Sequence, residues 1–469
     1  MSLVRIALRS IQQRGLASVL TCLSMALGVM LVVAVLSIHS VMSQSFRSNA
    51  SLGYNMIVGA KGGKLQLTLN TVYYLSQPVE NIPYSYYLEF LPAERRKQQR
   101  ADPGEIDLAR DGRFAPYAAF AIPVCLGDFF HRFRVVGTTP DFFDKLTYGP
   151  NADRKYAFED GGRNFRHDDP EHGYFEAVVG SAVARELNVR VGQQIRSTHG
   201  DPEGEGHGHG FTVVGILKPS GTPNDRAVFV NIEGFYLLEG HAKPGAEEGH
   251  DGDPGHDHDR RDAHPGESAH EHHAEHDHGG EHEPLPMRER EVTAILVRTT
   301  DPLAAMFLEK TINKGREAQA VLPVREIAGL FNAFVDPIQA VLLVLTAMIC
   351  IVSGISILVS IYNSMSERRH EIAVMRALGA GRGTVMAIIL LESVLLSAAG
   401  GAAGWLVAHA LNALAGPFIE ARTGVVVGFL DMAWSEVLLI PTLILLAILC
   451  GFLPALSAYR TDVARALSA

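Results

Sequence analysis

A histidine-rich tract carries the most evident chemistry in this 469-residue sequence. Eleven of the twenty histidines lie between His241 and His282, among many Asp and Glu residues. Imidazole and carboxylate groups together are ligands that suit Zn²⁺, Cu²⁺ or Ni²⁺. The pattern therefore predicts a tract that binds a divalent metal, with Zn²⁺ as the expected ion. The predicted ligands are His250, His256, His258, His270, His272, His273, His276, His278 and His282.

The composition of residues 241–286 argues against a single closed metal site. The segment is almost free of large apolar residues and rich in Gly, Pro, Asp and Glu, so it is predicted to be a disordered insertion. No histidine pair has the rigid spacing of a structural zinc site, and the tract would therefore buffer or sense metal. A solvated acidic linker with incidental histidines is the alternative interpretation.

The formal charge of −10 is concentrated in the same region. Residues 241–283 hold thirteen acidic and three basic side chains, which leaves the rest of the chain formally neutral. Nucleic-acid binding needs a basic surface that contacts phosphates. The sequence has no basic stripe, so we expect no nucleic-acid partner.

Four long apolar stretches determine the architecture that carries this tract. A bilayer core about 30 Å thick needs about 20 apolar helical residues, and each stretch is long enough. The sequence predicts a membrane protein with four transmembrane α-helices and a large α/β extracytoplasmic domain between helices 1 and 2. The predicted helices cover residues 16–46, 337–363, 383–412 and 436–459, one before and three after an outer domain at 47–336.

Basic residues at the ends of these stretches predict their orientation. Under the positive-inside rule, the segments expected in the cytoplasm are an amphipathic N-terminal stretch at 1–15, a loop at 364–382 and a tail at 460–469. Both termini would then be cytoplasmic, and residues 413–435 would form a periplasmic loop. The long first stretch, without a cleavage site, favours a retained helix over a signal peptide.

The outer domain contains short β-branched runs bounded by Gly, Pro or Asp, which predict strands, and segments of helical character. The strands are expected at 133–137, 176–180, 211–217, 227–230 and 292–297, and the helices at 141–146, 181–188 and 302–315. Cys125 is the one cysteine outside the predicted spans. No disulfide can therefore form within this domain, and a packed core must stabilise it.

The loop between the second and third predicted spans has an apolar stripe. Ile372, Met375 and Leu378 recur every three residues, and glycines then end the helix. A short amphipathic helix held between two spans is well placed to dock on a partner protein, whereas a mere charged loop would not need the stripe. The predicted docking residues are Glu371, Ile372, Met375, Arg376, Leu378 and Gly379.

Two glycines and one carboxylate stand out in the third predicted span. Gly400 and Gly404 form a small-residue face suited to close helix packing, either at a dimer interface or within the chain. Glu392 lies in the same span, where a carboxylate is expensive to bury. The sequence is compatible with a hydrogen-bonding role or with ion transfer for Glu392.

Several of these segments resemble the MacB/FtsX-like permease family of ABC transporters, which includes the LolC/LolE lipoprotein-releasing subunits. Two departures are Asp462, where a Pro is usual, and the histidine-rich insertion, which is not general to the family. The similar segments are the loop Glu371-Ile-Ala-Val-Met-Arg-Ala-Leu-Gly-Ala, span segments 391–404 and 451–458, the ending 463–467, and outer-domain segments 135–143 and 179–192.

The resemblance implies a non-catalytic permease subunit of the bacterial inner membrane. It would pair with a second permease copy as a homodimer and with a separate ABC ATPase, and its outer domains would move as ATP is bound and hydrolysed. Membrane lipid and a periplasmic adaptor or metal-binding protein are further expected partners. The 469 residues contain no G-x-x-x-x-G-K-[ST] P-loop, so we expect the ATPase on another chain and no catalytic cofactor on this one.

Three functions are compatible with the sequence. The first is an export or mechanotransmission permease that acts on envelope or periplasmic substrate, with zinc-linked regulation or cargo. The second is an FtsX-like scaffold that activates a periplasmic enzyme without transport. The third is a direct divalent-metal transporter, which is disfavoured because the spans lack the several facing His, Asp or Glu residues that a dehydrated Zn²⁺ needs.

Overall fold

The computed structural model describes most of the chain outside the histidine-rich tract. The described residues are 3–13, 15–49, 53–99, 107–149, 152–199, 208–238, 284–367, 369–423 and 434–459. The insertion predicted at 241–286 therefore lies outside the described residues, except for its last three positions.

The described part of the outer domain is built on one mixed ten-stranded sheet, with two further strand pairs beside it. The strands are β1 (Met56–Gly59), β2 (Ile82–Pro83), β3 (Ala118–Phe130), β4 (Phe133–Thr138), β5 (Thr147–Tyr148), β6 (Arg154–Lys155), β7 (Glu176–Val179), β8 (Gln194–Ile195), β9 (Thr198–His199), β10 (Phe211–Ile216), β11 (Ala227–Asn231), β12 (Glu291–Val292), β13 (Ala294–Thr299) and β14 (Gln319–Val321).

The sheet has the order β14-β1-β13-β3-β4-β11-β7-β10-β8, and β9 pairs with β3. The β4–β11 and β7–β10 pairs are parallel, and the other pairs of the sheet are antiparallel. β2 pairs with β12, and β5 with β6. The predicted α/β character of the outer domain is therefore confirmed.

Both faces of this sheet are covered, which explains why its strands read as continuous apolar runs. Successive side chains of a strand point to opposite faces. In β1, Met56 and Val58 belong to one buried cluster while Ile57 belongs to the other. In β11, Val228 and Phe229 divide between the two clusters in the same way. The domain thus has a core on each side of the sheet.

The described residues also form α-helices. Short helices cover the sheet of the outer domain, and the long ones contain the apolar stretches. They are α1 (Leu3–Gln13), α2 (Gly15–Asn49), α3 (Lys64–Tyr73), α4 (Tyr84–Leu88), α5 (Ala93–Lys97), α6 (Asp141–Lys145), α7 (Ser181–Leu187), α8 (Ile232–Tyr236), α9 (Pro302–Lys314), α10 (Pro323–Leu330), α11 (Asp336–Glu367), α12 (Arg369–Ala377), α13 (Arg382–Thr423), α14 (Trp434–Val437) and α15 (Leu439–Tyr459).

Helix α9 shows how the local sequence fixes an element. Asp301 Oδ1 accepts hydrogen bonds from the N–H groups of Leu303 and Ala304, at 2.8 and 2.9 Å, and Pro302 takes the first helical position. This N-cap and proline combination satisfies the free amides of the first turn. The buried face of α9 carries Ala304, Ala305, Leu308 and Ile312, whereas Leu303, Met306 and Phe307 are exposed.

Four of the described helices are long and apolar enough to cross a membrane, as predicted. Their apolar segments are Gly15–Ser40, Pro323–Asn363, Arg382–Pro417 and Leu439–Ser457. They pack together around a cluster that includes Met25, Ile357 and Ile389. The second of these helices starts at Pro323, beside the outer domain, and continues past residue 337, where the predicted span begins, into the apolar stretch.

The longest strand, β3, is absent from the sequence-based expectations. Its sequence contains Pro123 and Gly127, and both residues argue against a central strand. In the structure Pro123 pairs with Ile295 of β13, and a register shift between Leu126 and Phe129 accommodates the glycine. The structure thus places a proline in a central strand, which local sequence rules disfavour, and this is why β3 was not predicted.

Candidate functional site

The loop predicted to dock on a partner folds as α12 and ends in a glycine-dependent turn. Gly379 has φ +99°, and its N–H donates to the carbonyl of Arg376 at 3.1 Å. The N–H of Ala380 donates to the carbonyl of Met375 at 3.0 Å. This pair of bonds is the Schellman motif, which needs a left-handed residue and so favours glycine at position 379.

The apolar stripe of this loop divides between two environments. Ile372 is buried, in the same cluster as Val385 and Ile389 of α13, and Met375 is half-buried against that cluster. Leu378 is 84% exposed, as the turn after α12 carries it away from the helix bundle. The side chain of Glu371 lies outside the described part of the structure. Leu378 is therefore the most exposed of the large apolar side chains in the described part of this loop.

Two helices connect the outer domain to the apolar bundle, and both attach to the same edge of the sheet. The chain passes from β14 through Leu322 into α10, and α2 ends shortly before β1. β1 and β14 are paired neighbours, with Ile57 opposite Val321. We use the name stalk for four adjoining pieces of helix. They are α10, the helical turn that follows α10, the first turn of α11, and the part of α2 that faces them.

The stalk contains a π-helical turn, Phe331–Val335, between α10 and α11. The N–H of Asp336 donates to the carbonyl of Phe331, five residues earlier. Pro337 has no N–H, and its ring would clash with the carbonyl of Ala333 in a regular helix. A one-residue widening just before the proline relieves that clash, and such turns are frequent at functional sites.

The same turn brings the two stalk helices into polar contact. His39 Nε2 of α2 lies 3.1 Å from Asp336 Oδ1, and the His39 ring meets the edge of Phe331 with a centroid distance of 6.4 Å. Ile327 and Phe331 are also buried against Leu69 and Tyr73 of α3, in the outer domain. The sequence analysis did not identify this site; the signal was the Asp336–Pro337 pair at the start of an apolar stretch.

Gly400 and Gly404 lie against α2 of the same chain. A Cβ atom at Gly404 would lie 2.3 Å from the carbonyl oxygen of Ala26, and one at Gly400 would lie 2.9 Å from that of Cys22. Both distances are shorter than any normal contact, so the two glycines permit backbone-to-backbone packing of α13 on α2. The structure thus shows the within-chain use of the small-residue face.

A buried polar cluster lies near the C-terminal half of α13. His409 Nε2 is 3.0 Å from Glu436 Oε2, and the Trp405 indole N–H donates to the same oxygen at 3.2 Å. His409 and Glu436 are almost fully buried, so each satisfies the other in an apolar setting. Glu392 is also buried in α13.

One group of metal-ligand types occurs among the described residues, in the outer domain. Ligand atoms of Asp169, His172 and Glu176 lie within 4.8 Å of one another. Two guanidinium groups already neutralise the carboxylates: Arg163 Nη1 donates to Glu176 at 2.9 Å, and Arg166 Nη1 donates to Asp169 at 2.9 Å. The arrangement is that of an ion-pair network in which two partly exposed arginines balance the charges of two buried carboxylates.

The protonation of Asp169 fits this interpretation. Burial opposes ionisation, but hydrogen bonds from the N–H groups of Glu171 and His172 and from Arg166 outweigh it and lower the pKa of Asp169 to about 2. Because the folded pKa lies below the ordinary value, the network stabilises the fold above about pH 4 and loses its contribution as the pH falls towards 2.

The predicted zinc ligands from His250 to His282 lie outside the described residues. The chain leaves the described domain after Leu238, beyond α8, and returns at Pro284, before β12. Upstream, the ring of His199 is held by a buried carboxylate, because Nδ1 lies 3.1 Å from Asp128 Oδ1.

Comparison with known proteins agrees with this architecture. Residues 18–249 match the MacB-like periplasmic core domain, and residues 343–463 match the FtsX-like permease C-terminal region. Together the two matched regions cover most of the mixed α/β domain and most of the four membrane-length helices. The chain belongs to the MacB/FtsX-like family of these permeases.

Similar curated proteins carry the name macrolide export ATP-binding/permease protein MacB. The protein of Hahella chejuensis is 27% identical over 38% of this chain and 27% of its own length. The Bordetella avium protein is 32% identical over 29% of this chain and 20% of its own length. The Rhodopirellula baltica protein is 25% identical over 32% of this chain and 21% of its own length. The chain thus matches about a quarter or less of the length of these relatives.

Proposed function

We propose that the chain is the permease subunit of an ABC transporter that drives export or mechanotransmission of envelope or periplasmic substrate. The carrying observation is the stalk, which joins the sheet edge of the outer domain to the apolar bundle through two helices on adjacent strands. A displacement of α2 against α11 would act directly on the β1–β14 pair. Packed helices and sheets transmit such displacements because they deform little.

The proposed topology places one transmembrane helix before the outer domain and three after it, in a bacterial inner membrane with both termini in the cytoplasm. The proposed domain limits are those predicted from the sequence, with the outer domain at 47–336 and the coupling segment at 364–382. This places Leu378 on the cytoplasmic face, where a separate ATPase would bind. A second permease copy would complete a homodimer.

A proline in the stalk tests this function. The Ala333→Pro variant removes a helical hydrogen bond at an exposed position of the π-helical turn and should cost about 3 kcal/mol locally. In the complex with its ATPase, hydrolysis should continue while the outer domain no longer responds to nucleotide. A spin label at Leu303→Cys on exposed α9, in a background without other cysteines, reports that response as a nucleotide-dependent change in the distance between labels of the two copies.

The Ala333→Leu variant is the matched control, because it adds bulk at the same exposed position but preserves the helix. It should keep the nucleotide-dependent change. If the proline variant retained that change as well, the stalk would not be the path of transmission.

Zinc-linked regulation or cargo is proposed from the histidine-rich tract. Imidazole must be neutral to bind a metal, and its ordinary pKa is about 6.5, so zinc bound near pH 7.5 should be released at about pH 5. Titration calorimetry of the full chain should show several zinc sites at the higher pH. A variant with the nine predicted ligands replaced by Asn keeps the length and the acidic residues, and it should lose most of the zinc binding.

Equal zinc binding by the Asn variant would show that these nine histidines are not the ligands and would remove the histidine proposal. Deletion of residues 241–283 adds a second measurement and keeps Leu285, which packs against the core and whose carbonyl accepts a hydrogen bond from Arg290. The described chain stops at Leu238 and resumes at Pro284, and the cost of closing the loop between them changes slowly with its length. The deletion variant should therefore fold with an unchanged thermal midpoint.

The scaffold function has one observation in its favour. Leu303, Met306 and Phe307 form an exposed apolar group on α9, where an enzyme or adaptor outside the membrane could bind. Stimulation of the ATPase by an envelope substrate would favour transport, whereas dependence on an outer hydrolase would favour the scaffold. Direct metal transport gains no support, since the three-ligand group of the described residues lies in the outer domain and not in the spans.

A further inference from the structure

A small polar cavity lies at the end of β1 in the outer domain. Its walls are the loop after β1, the first turns of α3 and residues 77–80, together with Thr293 before β13 and Gln319 of β14. Its volume is about 10 Å³, which is close to the minimum that holds one water molecule. The cavity therefore has room for a single small ion or water molecule and not for an organic ligand.

The buried side chains of this cavity offer acceptors and no free donor. Asn70 is 1% exposed and lines the cavity, and its Oδ1 atom is buried without a hydrogen-bond partner among the described residues. Gln319 is also buried, and its Nε2 atom already donates to the carbonyl of Ala60 at 2.9 Å. The amide oxygens of both side chains are thus left for a ligand. Such an oxygen is costly to bury without one.

The charge at the mouth of the cavity favours a cation. Glu80 is exposed in the lining, and its carboxylate makes no ion pair or hydrogen bond with the residues that the structure describes. The lining contains no Lys, Arg or His. Two nearby lysines are engaged elsewhere, because Lys61 Nζ donates to the carbonyl of Asn313 at 3.3 Å and Lys64 Nζ lies 3.9 Å from Glu309. A water molecule would leave the Glu80 charge unbalanced, whereas a cation would balance it.

We propose that this cavity binds one Ca²⁺ ion through the carboxylate of Glu80 and the amide oxygens of Asn70 and Gln319. Calcium takes carboxylate, amide and water oxygens in a flexible geometry, whereas Mg²⁺ demands a near-ideal octahedron. Zinc prefers nitrogen and sulfur ligands, which this lining lacks, so the cavity differs in chemistry from the histidine-rich tract. The site goes beyond the transport function and does not depend on it.

The thermal midpoint of the full chain in detergent measures this binding, because a ligand that binds only the folded chain stabilises it. With one carboxylate in the site, we expect a Kd of about 10⁻⁴–10⁻³ M, as in extracellular calcium modules. Calcium at these concentrations should raise the midpoint by a few degrees. Magnesium chloride and sodium chloride at the same ionic strength should raise it less.

Two glutamate variants assign the effect to the cavity. Glu80→Gln removes the charge and should raise the Kd for Ca²⁺ at least about tenfold. Glu317→Gln removes an exposed carboxylate that does not line the cavity, so it should keep the Kd of the unsubstituted chain. An equal calcium response in the Glu80→Gln chain would overturn the proposal.

Two substitutions of Asn70 separate a calcium site from a buried water molecule. Asn70→Leu has a similar volume and removes the unpartnered oxygen, so its midpoint in a chelator should be equal or higher while the response to Ca²⁺ is lost. Asn70→Asp buries a second carboxylate, which should lower the midpoint in the chelator and enlarge the rise with Ca²⁺. A midpoint of the unsubstituted chain that Ca²⁺ raises no more than Mg²⁺ does would leave the cavity to water and overturn the proposal.

Discussion

Replacing Leu378 with glutamate should abolish stable association with the ATPase while leaving membrane insertion intact. The Leu378 side chain is 84% exposed, and burial of a leucine side chain in an interface is worth about 1.5–3 kcal/mol. A carboxylate at the same place must in addition be desolvated without a partner. We expect the affinity to fall at least about 100-fold, which corresponds to about 2.7 kcal/mol. Co-purification of the ATPase with the tagged chain measures it.

Two variants make this docking test specific. Leu378→Met keeps an apolar side chain of similar volume and should retain the ATPase. Ile372→Ala truncates a residue that is buried in the chain's own apolar cluster, so it should lower the thermal midpoint more than the affinity. Undiminished co-purification of the Leu378→Glu chain would remove Leu378 from the docking surface.

Substituting Gly404 should destabilise the apolar bundle strongly. Alanine favours a helix over glycine by about 1 kcal/mol, but its Cβ would lie 2.3 Å from the Ala26 carbonyl oxygen, so α2 would have to move. Overpacking of this kind typically costs about 1–3 kcal/mol, and a clash with backbone should reach the upper end. We expect Gly404→Ala to lower the thermal midpoint of the detergent-solubilised chain by several degrees, and Gly404→Leu to prevent folding.

Gly383→Ala is the control on the same helix. A Cβ atom at position 383 would have no neighbour within 4 Å, so only the gain in helix propensity remains. Its midpoint should stay equal or rise slightly. If Gly404→Ala behaved like Gly383→Ala, α13 and α2 would not pack as closely as the structure shows.

Strong local patterns made much of the fold predictable. The four apolar stretches and the strands β4, β7, β10, β11 and β13 follow from hydropathy and from β-branched runs between turn residues. Helices α7 and α9 likewise begin at the predicted residues. In each of these elements the local preference and the tertiary environment agree. The sequence of the segment alone was therefore sufficient to predict the element.

The remaining features depend on partners that are distant in the chain. Nothing in the sequence near Leu378 shows that Ile372 is buried in the apolar cluster of the long helices while Leu378 stays exposed. His39 and Asp336 are far apart in the sequence and meet only when α2 and α11 pack together. Whether Gly400 and Gly404 contact another copy or the same chain is a question of helix positions, which residue spacing alone does not determine.

The π-helical turn in the stalk fixes the rotation of α11 about its own axis relative to the outer domain. Each residue of an α-helix advances about 100° around the axis, and a π-helical turn takes about one residue more to close, so the residues after it lie about 100° behind their positions in a regular α-helix. The turn thus sets which side of α11 faces α2 and places Asp336 opposite His39. Insertions or deletions in this helix keep the same side of α11 facing α2 only when their length is close to a whole number of helical turns. Any sequence that folds this way must therefore keep the same helical phase in the stalk.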